Sequence, residues 1–395
     1  MKNIDDFNFR NRKALLRVDF NVPLNNELIV TDETRIIAAI PTIKKIINEG
    51  GSVILMSHLG RPKKGPEDKY SLKHIIPNLQ EKLDTEVKFA SDCIGASALE
   101  LSQTLGTGEV MLLENVRFYP EETKGDEDFA SKLAKLGDIY VNDAFGTAHR
   151  ANASTTTVAQ FFEDKCAGYI MGSELANAKK VLEDSKRPFT AIMGGAKISD
   201  KIMIIEKLLD KVDHLIIGGG MSYTFSKAQG GAIGKSLCED NRMALTLELI
   251  EKAKAKGVKI YLPLDNVIAD DFSNEAQRQI VNSGEIPDDW EGLDIGPQSI
   301  DAFANVIKNS KTILWNGPMG VFEFPNFAVG TEAIAEAVVT ATQNGGFSLI
   351  GGGDSAAAIN NLGYGDKVSY VSTGGGALLE YMEGKTLPGV AILED

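Results

Sequence analysis

The sequence has few cysteines and no long apolar run, and each shortage excludes a class of protein. Its three cysteines, Cys93, Cys166 and Cys238, lie far apart without a CxxC pair, so neither a disulfide framework nor a zinc site is expected. This cysteine usage predicts a reducing, cytoplasmic location. The charged N-terminus lacks the apolar core of a signal peptide, and no segment approaches the roughly 20 apolar residues of a membrane span, so no membrane association is expected.

Basic side chains are fewer than acidic ones. The 41 basic and 55 acidic residues give a net charge of −14. Because affinity for nucleic acid comes mostly from clustered Lys and Arg, this balance argues against a nucleic-acid partner. Any anionic ligand would have to be held by a local basic pocket.

Glycine is abundant, and its placement is typical of an α/β protein. The 395 residues include 39 glycines, many of them directly after short apolar runs. These runs are apolar on successive residues, as in parallel strands covered on both faces, and segments with helical spacing lie between them. The sequence therefore predicts doubly wound α/β sheets in about two domains. The predicted strands are 14–18, 53–56, 110–113, 139–141, 190–193, 214–217, 259–262, 312–315, 347–350 and 368–371, and the predicted helices include 199–211, 241–256 and 331–344.

A polar helical segment divides the chain near its middle. Gly172 and Ser173 precede the segment ELANAKKVLEDSK, with Ser173 as a candidate N-cap and Pro188 just beyond its end. Most arginines precede this segment, whereas most glycine runs follow it. We interpret it as a helix that connects two α/β domains, residues 1–171 and residues 172–383, the helix belonging to the second. A surface helix within one long domain is the alternative.

Four glycine clusters in the second half each follow a predicted strand. Ligands of open α/β sheets bind beyond the carboxyl ends of the strands, where glycine lets backbone N–H groups approach phosphate. Together the clusters predict a nucleotide platform, although each alone is also typical of an ordinary tight turn. They are 193–197 (MGGAK), 218–220 (GGG), 351–355 (GGGDS) and 372–376 (STGGG).

Two other nucleotide signatures fit these residues poorly. Segment 229–236 (QGGAIGKS) has Gln229 in place of the first Walker A glycine, so a P-loop is rejected. Gly351, Gly353 and Ala356 match the dinucleotide fingerprint, but segment 370–373 (YVST) has no carboxylate where that fold needs one. A nicotinamide-dependent dehydrogenase is therefore disfavoured but stays open.

Charged residues beside the glycines suit a phosphate ligand with a metal ion. Asp354 is placed to hold Mg²⁺ and the Ser355 hydroxyl to meet phosphate, with helix N-capping as the alternative. Lys197 and Lys201 are four residues apart at the predicted start of a helix. They should therefore share a face near its positive end and attract an anion, unless they are an ordinary surface pair.

Polar residues at strand ends in the first half predict a second anion site. Arg17, Asp19 and Asn21 alternate where a strand ends, so we expect them to point to one side. Planar guanidinium groups bind carboxylate and phosphate in bidentate fashion, which predicts a small, heavily anionic ligand. A nucleotide-sensing module would lack this cluster, and scattered surface arginines are the other alternative. The further candidates are Arg35, His58, Arg61, Arg117, His149 and Arg150.

Nine segments occur in this order along the chain: RVDFNVP, SHLGRP, LLENVRF, NDAFGTAHR, GGAKISDK, GGGMSYTF, WNGPMGVFE, GGGDS and STGGGALLE. Together they resemble the motifs of the phosphoglycerate kinase family over nearly the whole chain. The resemblance implies a hinged, two-domain, monomeric enzyme of glycolysis and gluconeogenesis, which transfers a phosphoryl group between ATP and 3-phosphoglycerate to give 1,3-bisphosphoglycerate, with Mg²⁺. The tail, residues 384–395, would complete the first domain, which would bind the acceptor.

The resemblance also implies roles for individual residues. Arg35 would meet the transferred phosphoryl group, Asp354 would be the metal ligand and Glu323 would take the ribose hydroxyls. Tyr370 and Asn152 stand where the family commonly has histidine. The acceptor site would comprise Arg17, Asp19, Asn21, Arg35, His58, Arg61, Arg117 and Arg150. The nucleotide site would comprise Gly195, Lys197, Lys201, Gly219, Asn316, Pro318, Glu323, Gly351, Gly352, Gly353, Asp354 and Ser355. The catalytic residues would be Arg35, Lys197, Lys201, Gly352 and Gly375.

The residues offer no obvious general base, and the implied reaction needs none. A carboxylate substrate with a pKa of about 3.5 is already ionised at neutral pH. The remaining obstacle is repulsion between anions, which alignment and well-placed cations overcome. Arg35, Lys197, Lys201 and Mg²⁺ would supply the positive charge.

Overall fold

The computed structural model describes residues 1–63 and 65–394, and the chain divides into two compact units. The first unit is Met1–Ala176 together with the segment from Lys385 onward, and the second is Asn177–Gly384. Their boundary lies a few residues after the one expected at residues 171 and 172. Each unit has its own sheet and its own apolar core.

The first unit is built on a parallel six-stranded sheet. Its central strands are buried along their length because helices cover both faces, which explains their unbroken apolar runs. The strands are β1 (Lys13–Arg17), β2 (Ser52–Met56), β3 (Val87–Phe89), β4 (Val110–Leu112), β5 (Ile139–Asn142) and β6 (Lys165–Ala167), and their order across the sheet is β3-β4-β2-β1-β5-β6. The strand order reverses between β1 and β5, and such switch points are where open sheets bind ligands.

Helices pack on this sheet through apolar faces with helical spacing. Ile36, Ile43 and Ile46 of the first helix are fully buried in the core beside Leu16 and Leu55. The helices are α1 (Thr34–Asn48), α2 (Ile76–Leu83), α3 (Ala96–Thr104), α4 (Pro120–Lys124), α5 (Glu127–Ala134) and α6 (Tyr169–Leu182).

The second unit is also built on a parallel six-stranded sheet, to which two small sheets are added. Its strands are β7 (Phe189–Met193), β8 (His214–Ile217), β9 (Ala232–Ile233), β10 (Lys259–Tyr261), β11 (Asp265–Ala269), β12 (Arg278–Asn282), β13 (Glu285–Ile286), β14 (Glu291–Ile295), β15 (Thr312–Asn316), β16 (Phe347–Gly351) and β17 (Tyr370–Val371). The main sheet is parallel, with the order β10-β8-β7-β15-β16-β17, and its switch point lies between β7 and β15. Strands β12-β11-β14 form an antiparallel sheet, and β13 pairs with β9.

Most of the remaining helices follow strands of the second unit. The last helix of the chain belongs to the first unit again. Gly389 in that last helix donates from its N–H to the Ala148 carbonyl at 2.8 Å, and its carbonyl accepts from Asn142 Nδ2 at 3.3 Å. The helices are α7 (Ile202–Leu208), α8 (Met221–Ala228), α9 (Met243–Ala255), α10 (Pro297–Lys308), α11 (Val329–Gln343), α12 (Gly353–Asn361), α13 (Gly376–Met382) and α14 (Pro388–Ala391).

The predicted α/β fold class is confirmed, and every predicted strand is present to within a few residues. Strands β3, β6, β9 and β11 to β14 were missed. Strands β3, β6 and β9 have only two or three residues each, and β12 is a largely exposed sequence without a buried apolar run. The start of α6 was predicted wrongly: it begins at Tyr169, because the Asp143 carboxylate accepts from the N–H groups of Ile170 (2.7 Å) and Met171 (3.1 Å). Ser173 therefore lies inside this helix.

The start of α7 also differs from the prediction. Because it begins at Ile202, Lys201 is its N-cap residue and Lys197 lies in the preceding loop, so the two lysines do not share a helix face. The backbone N–H of Ser199 instead donates to Glu239 Oε2 at 3.0 Å, which holds the segment before the helix. In the part of the chain that the structure describes, no helix is both long enough and apolar enough to span a bilayer.

Candidate active site

Basic side chains gather at the carboxyl-terminal edge of the first sheet. Arg61 follows β2, Arg117 follows β4 and Arg150 follows β5. These three side chains line one cavity of about 350 Å³ together with Lys63, which the sequence analysis did not single out. Several cations around one cavity favour a ligand with several negative charges.

Arg35 belongs to a second set of linked residues at the same edge. Its Nη1 donates to Asp19 Oδ2 at 2.9 Å and to the Asn21 carbonyl at 3.1 Å. The side chain of Asn21 accepts from Gly60 N–H at 2.8 Å, and the Gly60 carbonyl accepts from Arg117 Nη1 at 2.9 Å. Gly60 therefore joins the Arg35 set to the arginine cavity. Its φ of +63° favours glycine, and a Cβ there would lie 2.4 Å from the Tyr70 ring.

Arg17 takes a different direction from Asp19 and Asn21. The strand ends at Arg17, so the predicted alternation does not continue beyond it. The side chain is fully buried; its Nε donates to Ser154 Oγ at 2.8 Å and its Nη2 lies 3.3 Å from His58 Nδ1. In this arrangement Arg17 contacts protein groups, and its direct contact with substrate stays a prediction.

The arginines change the acid–base behaviour of the residues around them. Burial lowers the pKa of His58 well below its usual value, and the positive charge of Arg17 adds to this effect. Burial, together with the charge of Arg150, lowers the pKa of Arg117 to about 10. Burial is the larger cause of both shifts, and the neighbouring guanidinium charges act in the same direction, as expected at a positive site that an anion would stabilise.

In the second unit, loops after neighbouring strands of the main sheet meet at its switch point. Gly195 N–H donates to the Pro318 carbonyl at 3.0 Å, and Gly219 N–H donates to the Met319 carbonyl at 3.1 Å. Gly219 has a φ of +65°, and a Cβ on it would lie 2.6 Å from the Gly195 nitrogen. Gly219 therefore has to be glycine, because its loop touches the Gly195 loop through the backbone.

A cavity of about 420 Å³ opens beside these loops. The sequence analysis missed its apolar walls, which include Leu237, Phe272 and Val321. Leu237 and Phe272 are each 57% exposed, as suits side chains that would cover the flat face of a ligand. They carry no sequence signal, because they belong to segments outside every predicted motif. The predicted nucleotide residues that line this cavity are Gly195, Gly219, Pro318, Glu323 and Asp354.

Lys201 and Asn316 are coupled beneath the glycine loops. Lys201 Nζ donates to the Asn316 carbonyl at 3.1 Å and also to its side-chain oxygen, while Asn316 Nδ2 donates to the Gly351 carbonyl at 2.9 Å. Burial lowers the pKa of Lys201 to about 8. Lys197, by contrast, is exposed. Asn316 is almost fully buried, so in this structure it positions Lys201.

The 351–355 segment forms the start of α12. Gly352 has a φ of +89° and is the N-cap residue, and Asp354 is exposed in the first turn. Ser355 is fully buried and accepts from Gly317 N–H at 2.6 Å, so its hydroxyl holds a neighbouring loop. Gly375, with a φ of +52°, is likewise the N-cap residue of α13. Helix N-termini of this kind present N–H groups to anions. The catalytic roles of Gly352 and Gly375 stay predictions.

Comparison with known proteins identifies the family. The family model described as "Phosphoglycerate kinase" matches residues 4–385. The chain belongs to the phosphoglycerate kinase family. A phosphoglycerate kinase of Porphyromonas gingivalis is 54% identical over 99% of this chain and 99% of its own length, and a cytosolic one of Nicotiana tabacum is 52% identical over 99% and 98%. The solved phosphoglycerate kinase of Coxiella burnetii has a TM-score of 0.90 at 41% identity and covers 100% of this chain and 98% of its own.

Two departures from the family's usual residues lie in ordinary structural positions. Asn152 is buried, and its carbonyl accepts from Thr156 N–H at 2.9 Å in the turn after Arg150. Tyr370 lies in β17, where it is paired with Leu349 of β16. Membership of the phosphoglycerate kinase family also favours phosphoryl transfer over the dehydrogenase and nucleotide-sensing alternatives.

Proposed function

We propose that the chain transfers the terminal phosphoryl group of ATP to the carboxylate of 3-phosphoglycerate, and catalyses the reverse reaction, in glycolysis and gluconeogenesis. The main support from the site itself is the arginine cavity with its linked Arg35 set, which suits a small molecule carrying both carboxylate and phosphate. In the forward direction a carboxylate oxygen attacks the γ-phosphorus of ATP. The new P–O bond forms as the bond from that phosphorus to the β,γ-bridging oxygen breaks, so the products are 1,3-bisphosphoglycerate and ADP.

The acceptor would be bound by polar and basic side chains of the first unit, namely Arg17, Asp19, Asn21, Arg35, His58, Arg61, Arg117 and Arg150. Arg35 would reach the transferred phosphoryl group. Its guanidinium is half-exposed and held by Asp19, so it is partly oriented before substrate binds. Because the transition state spreads negative charge over the equatorial oxygens, an oriented cation there lowers the barrier.

The nucleotide would bind in the cavity of the second unit. Leu237, Phe272 and Val321 would cover the base, Glu323 would accept from the ribose hydroxyls, and the glycine loops would face the phosphates. Lys197 and Lys201 would supply positive charge to the phosphates. Lys201 is the better placed of the two, since Asn316 already holds its ammonium group.

Asp354 fits the ligand set of a magnesium ion. Its carboxylate is exposed in the first turn of α12 and lines the nucleotide cavity. Mg²⁺ is usually held by one or two carboxylates together with substrate phosphates, so a single carboxylate beside a phosphate platform matches its needs. When bound with ATP, the ion would neutralise part of the phosphate charge.

We also propose that transfer needs both ligand sites to close on each other, which would align the reactants and exclude water. A monomeric state and a cytoplasmic location are further parts of the proposal, the second supported by the cytosolic relative. Light scattering of the purified chain at several concentrations would test the monomer, because a dimer would double the measured mass.

The sharpest test of the proposed function is Arg35→Ala. We expect turnover of ATP with 3-phosphoglycerate and Mg²⁺, followed as ADP formation, to fall roughly 10³-fold or more, as for an arginine finger. The KM for ATP should change far less, because Arg35 belongs to the acceptor unit.

Arg10→Ala is the matched control, since Arg10 is an exposed arginine of the same unit outside the proposed site. It should retain the full rate. Near-normal turnover in Arg35→Ala would show that its role is misassigned, and no ADP formation by the unaltered chain would contradict the proposed function itself.

A further inference from the structure

A chain of buried polar side chains runs beneath the arginine cavity of the first unit. We call Glu122, Ser154, Arg17 and His58 the buried relay. Glu122 Oε1 accepts from the Ser154 hydroxyl at 2.6 Å and Oε2 accepts from Ser154 N–H at 2.8 Å. Ser154 Oγ in turn accepts from Arg17 Nε at 2.8 Å, and Arg17 Nη2 lies 3.3 Å from His58 Nδ1. The first three residues are fully buried and His58 is 4% exposed.

The relay gives the buried Arg17 a counter-charge. A buried guanidinium is costly unless it is paired, and the Glu122 carboxylate reaches Arg17 through a single hydroxyl. The backbone carbonyl of Glu122 also accepts from Ala153 N–H at 2.8 Å, which holds the backbone next to Ser154 in place. Tyr140 adds a further constraint by donating from its hydroxyl to the Ser154 carbonyl at 2.9 Å. The direction of the Arg17 side chain is therefore set from several sides.

The contact between Arg17 and His58 determines where the imidazole proton lies. A guanidinium has only N–H donors, so the nitrogen that it meets must present a lone pair. His58 Nδ1 is therefore the acceptor, and the ring proton is on Nε2. An imidazolium would set an N–H group against the N–H groups of Arg17. Among the described residues, His58 Nε2 has no protein hydrogen-bond partner.

The other charges around His58 act in the same direction. Burial is the main cause of the lowered pKa of the ring, and the charges that add to its effect are all guanidinium groups. The ring should therefore remain neutral through the physiological pH range. These guanidinium groups belong to Arg17, Arg35, Arg117 and Arg150.

We infer that Glu122, Ser154 and Arg17 are positioning residues that hold His58 as its neutral Nε2–H tautomer, which donates a hydrogen bond to an anionic oxygen of the acceptor substrate. The inference rests on the proposed function only for the identity of that substrate. The arginines already supply the positive charge that the substrate needs. A neutral imidazole with its proton fixed on Nε2 adds a hydrogen bond of defined direction, which orients the substrate.

The tautomer can be measured on the unaltered chain by NMR. The sequence has only four histidines, so two-bond ¹H–¹⁵N spectra of the ring nitrogens should show four patterns, and His58→Gln identifies the one from His58. We expect His58 to carry its proton on Nε2 and to show no titration between about pH 5.5 and 8. Addition of 3-phosphoglycerate should shift the Nε2 resonance. A proton on Nδ1, or titration near the ordinary value of about 6.5, would overturn the inference.

Ser154→Ala breaks the relay without changing any charge. We expect the NMR spectrum to show His58 as a mixture of its two neutral tautomers. The KM for 3-phosphoglycerate should rise about tenfold, while the KM for ATP stays within about twofold of its original value. Ser102→Ala is the matched control, because Ser102 is a buried serine of the same unit whose hydroxyl donates only within its own helix, to the Leu99 carbonyl.

An unchanged tautomer and an unchanged KM in Ser154→Ala would contradict the relay. If that variant does not fold, the spectrum of the unaltered chain still decides the question. The two proposals can also fail separately: a chain with the Nε2–H tautomer but no phosphoryl transfer would contradict the proposed function and leave the relay intact.

Discussion

Burial tunes single charged side chains in this molecule, and Lys201 is the clearest case. Its ammonium group is held by Asn316, and burial lowers its pKa to about 8. In the free protein the lysine is therefore charged at pH 7 and mostly neutral at pH 9. Because phosphate binding needs the charged form, we expect ATP affinity, measured by calorimetry, to fall about tenfold between pH 7 and 9.

Lys201→Arg is the control for this pH dependence. A guanidinium keeps its charge over the whole range, so ATP affinity should be nearly independent of pH in that variant, even if its absolute value is lower. The same decline in both proteins would mean that another group titrates.

At the scale of elements, the loops after β7 and β15 approach so closely that a side chain cannot fit between them. A Cβ on Gly194 would lie 2.1 Å from the Pro318 carbonyl oxygen and 2.5 Å from that of Gly317. Gly194→Ala must therefore push the loops apart. We expect the free energy of unfolding to fall by about 1–3 kcal/mol and the Kd for ATP to rise about tenfold, measured by denaturant titration and calorimetry.

Gly172→Ala provides the comparison for this variant. Gly172 lies within α6, and the nearest atom to an added Cβ, Asn3 Oδ1, would be 3.7 Å away. Since alanine favours helix, this change should leave stability unchanged or raise it by up to about 1 kcal/mol. Equal effects of the two substitutions would show that the loop contact does not matter.

At the scale of the whole molecule, the proposed function separates the reactants onto two units. Each unit has its own parallel sheet and core. If transfer requires closure, X-ray scattering should show a smaller radius of gyration when 3-phosphoglycerate and a non-hydrolysable ATP analogue with Mg²⁺ are both present. Either ligand alone should produce less compaction. No change with both ligands bound would argue against closure.

Family membership and the parallel strands could be predicted from the sequence because both depend on local order. A run such as residues 52–56 is apolar on every residue, and such runs are what a sheet buried on both faces requires. The glycines after the strands were equally visible in the sequence, and the close approach of Gly194 to the Pro318 carbonyl oxygen, 2.1 Å from an added Cβ, shows why a side chain is excluded there.

The sequence by itself determined the two-sheet α/β architecture, the family and the segments that carry the charged and glycine-rich residues, since these depend on residue type and spacing. Only the tertiary structure decided which way those side chains turn. Arg17 points inward because Ser154, far along the chain, accepts from it, and α6 begins early because Asp143 caps it from another loop. Leu237 and Phe272 reach one cavity from segments without a motif. Contacts between distant residues leave no local pattern, so folding alone brings them together.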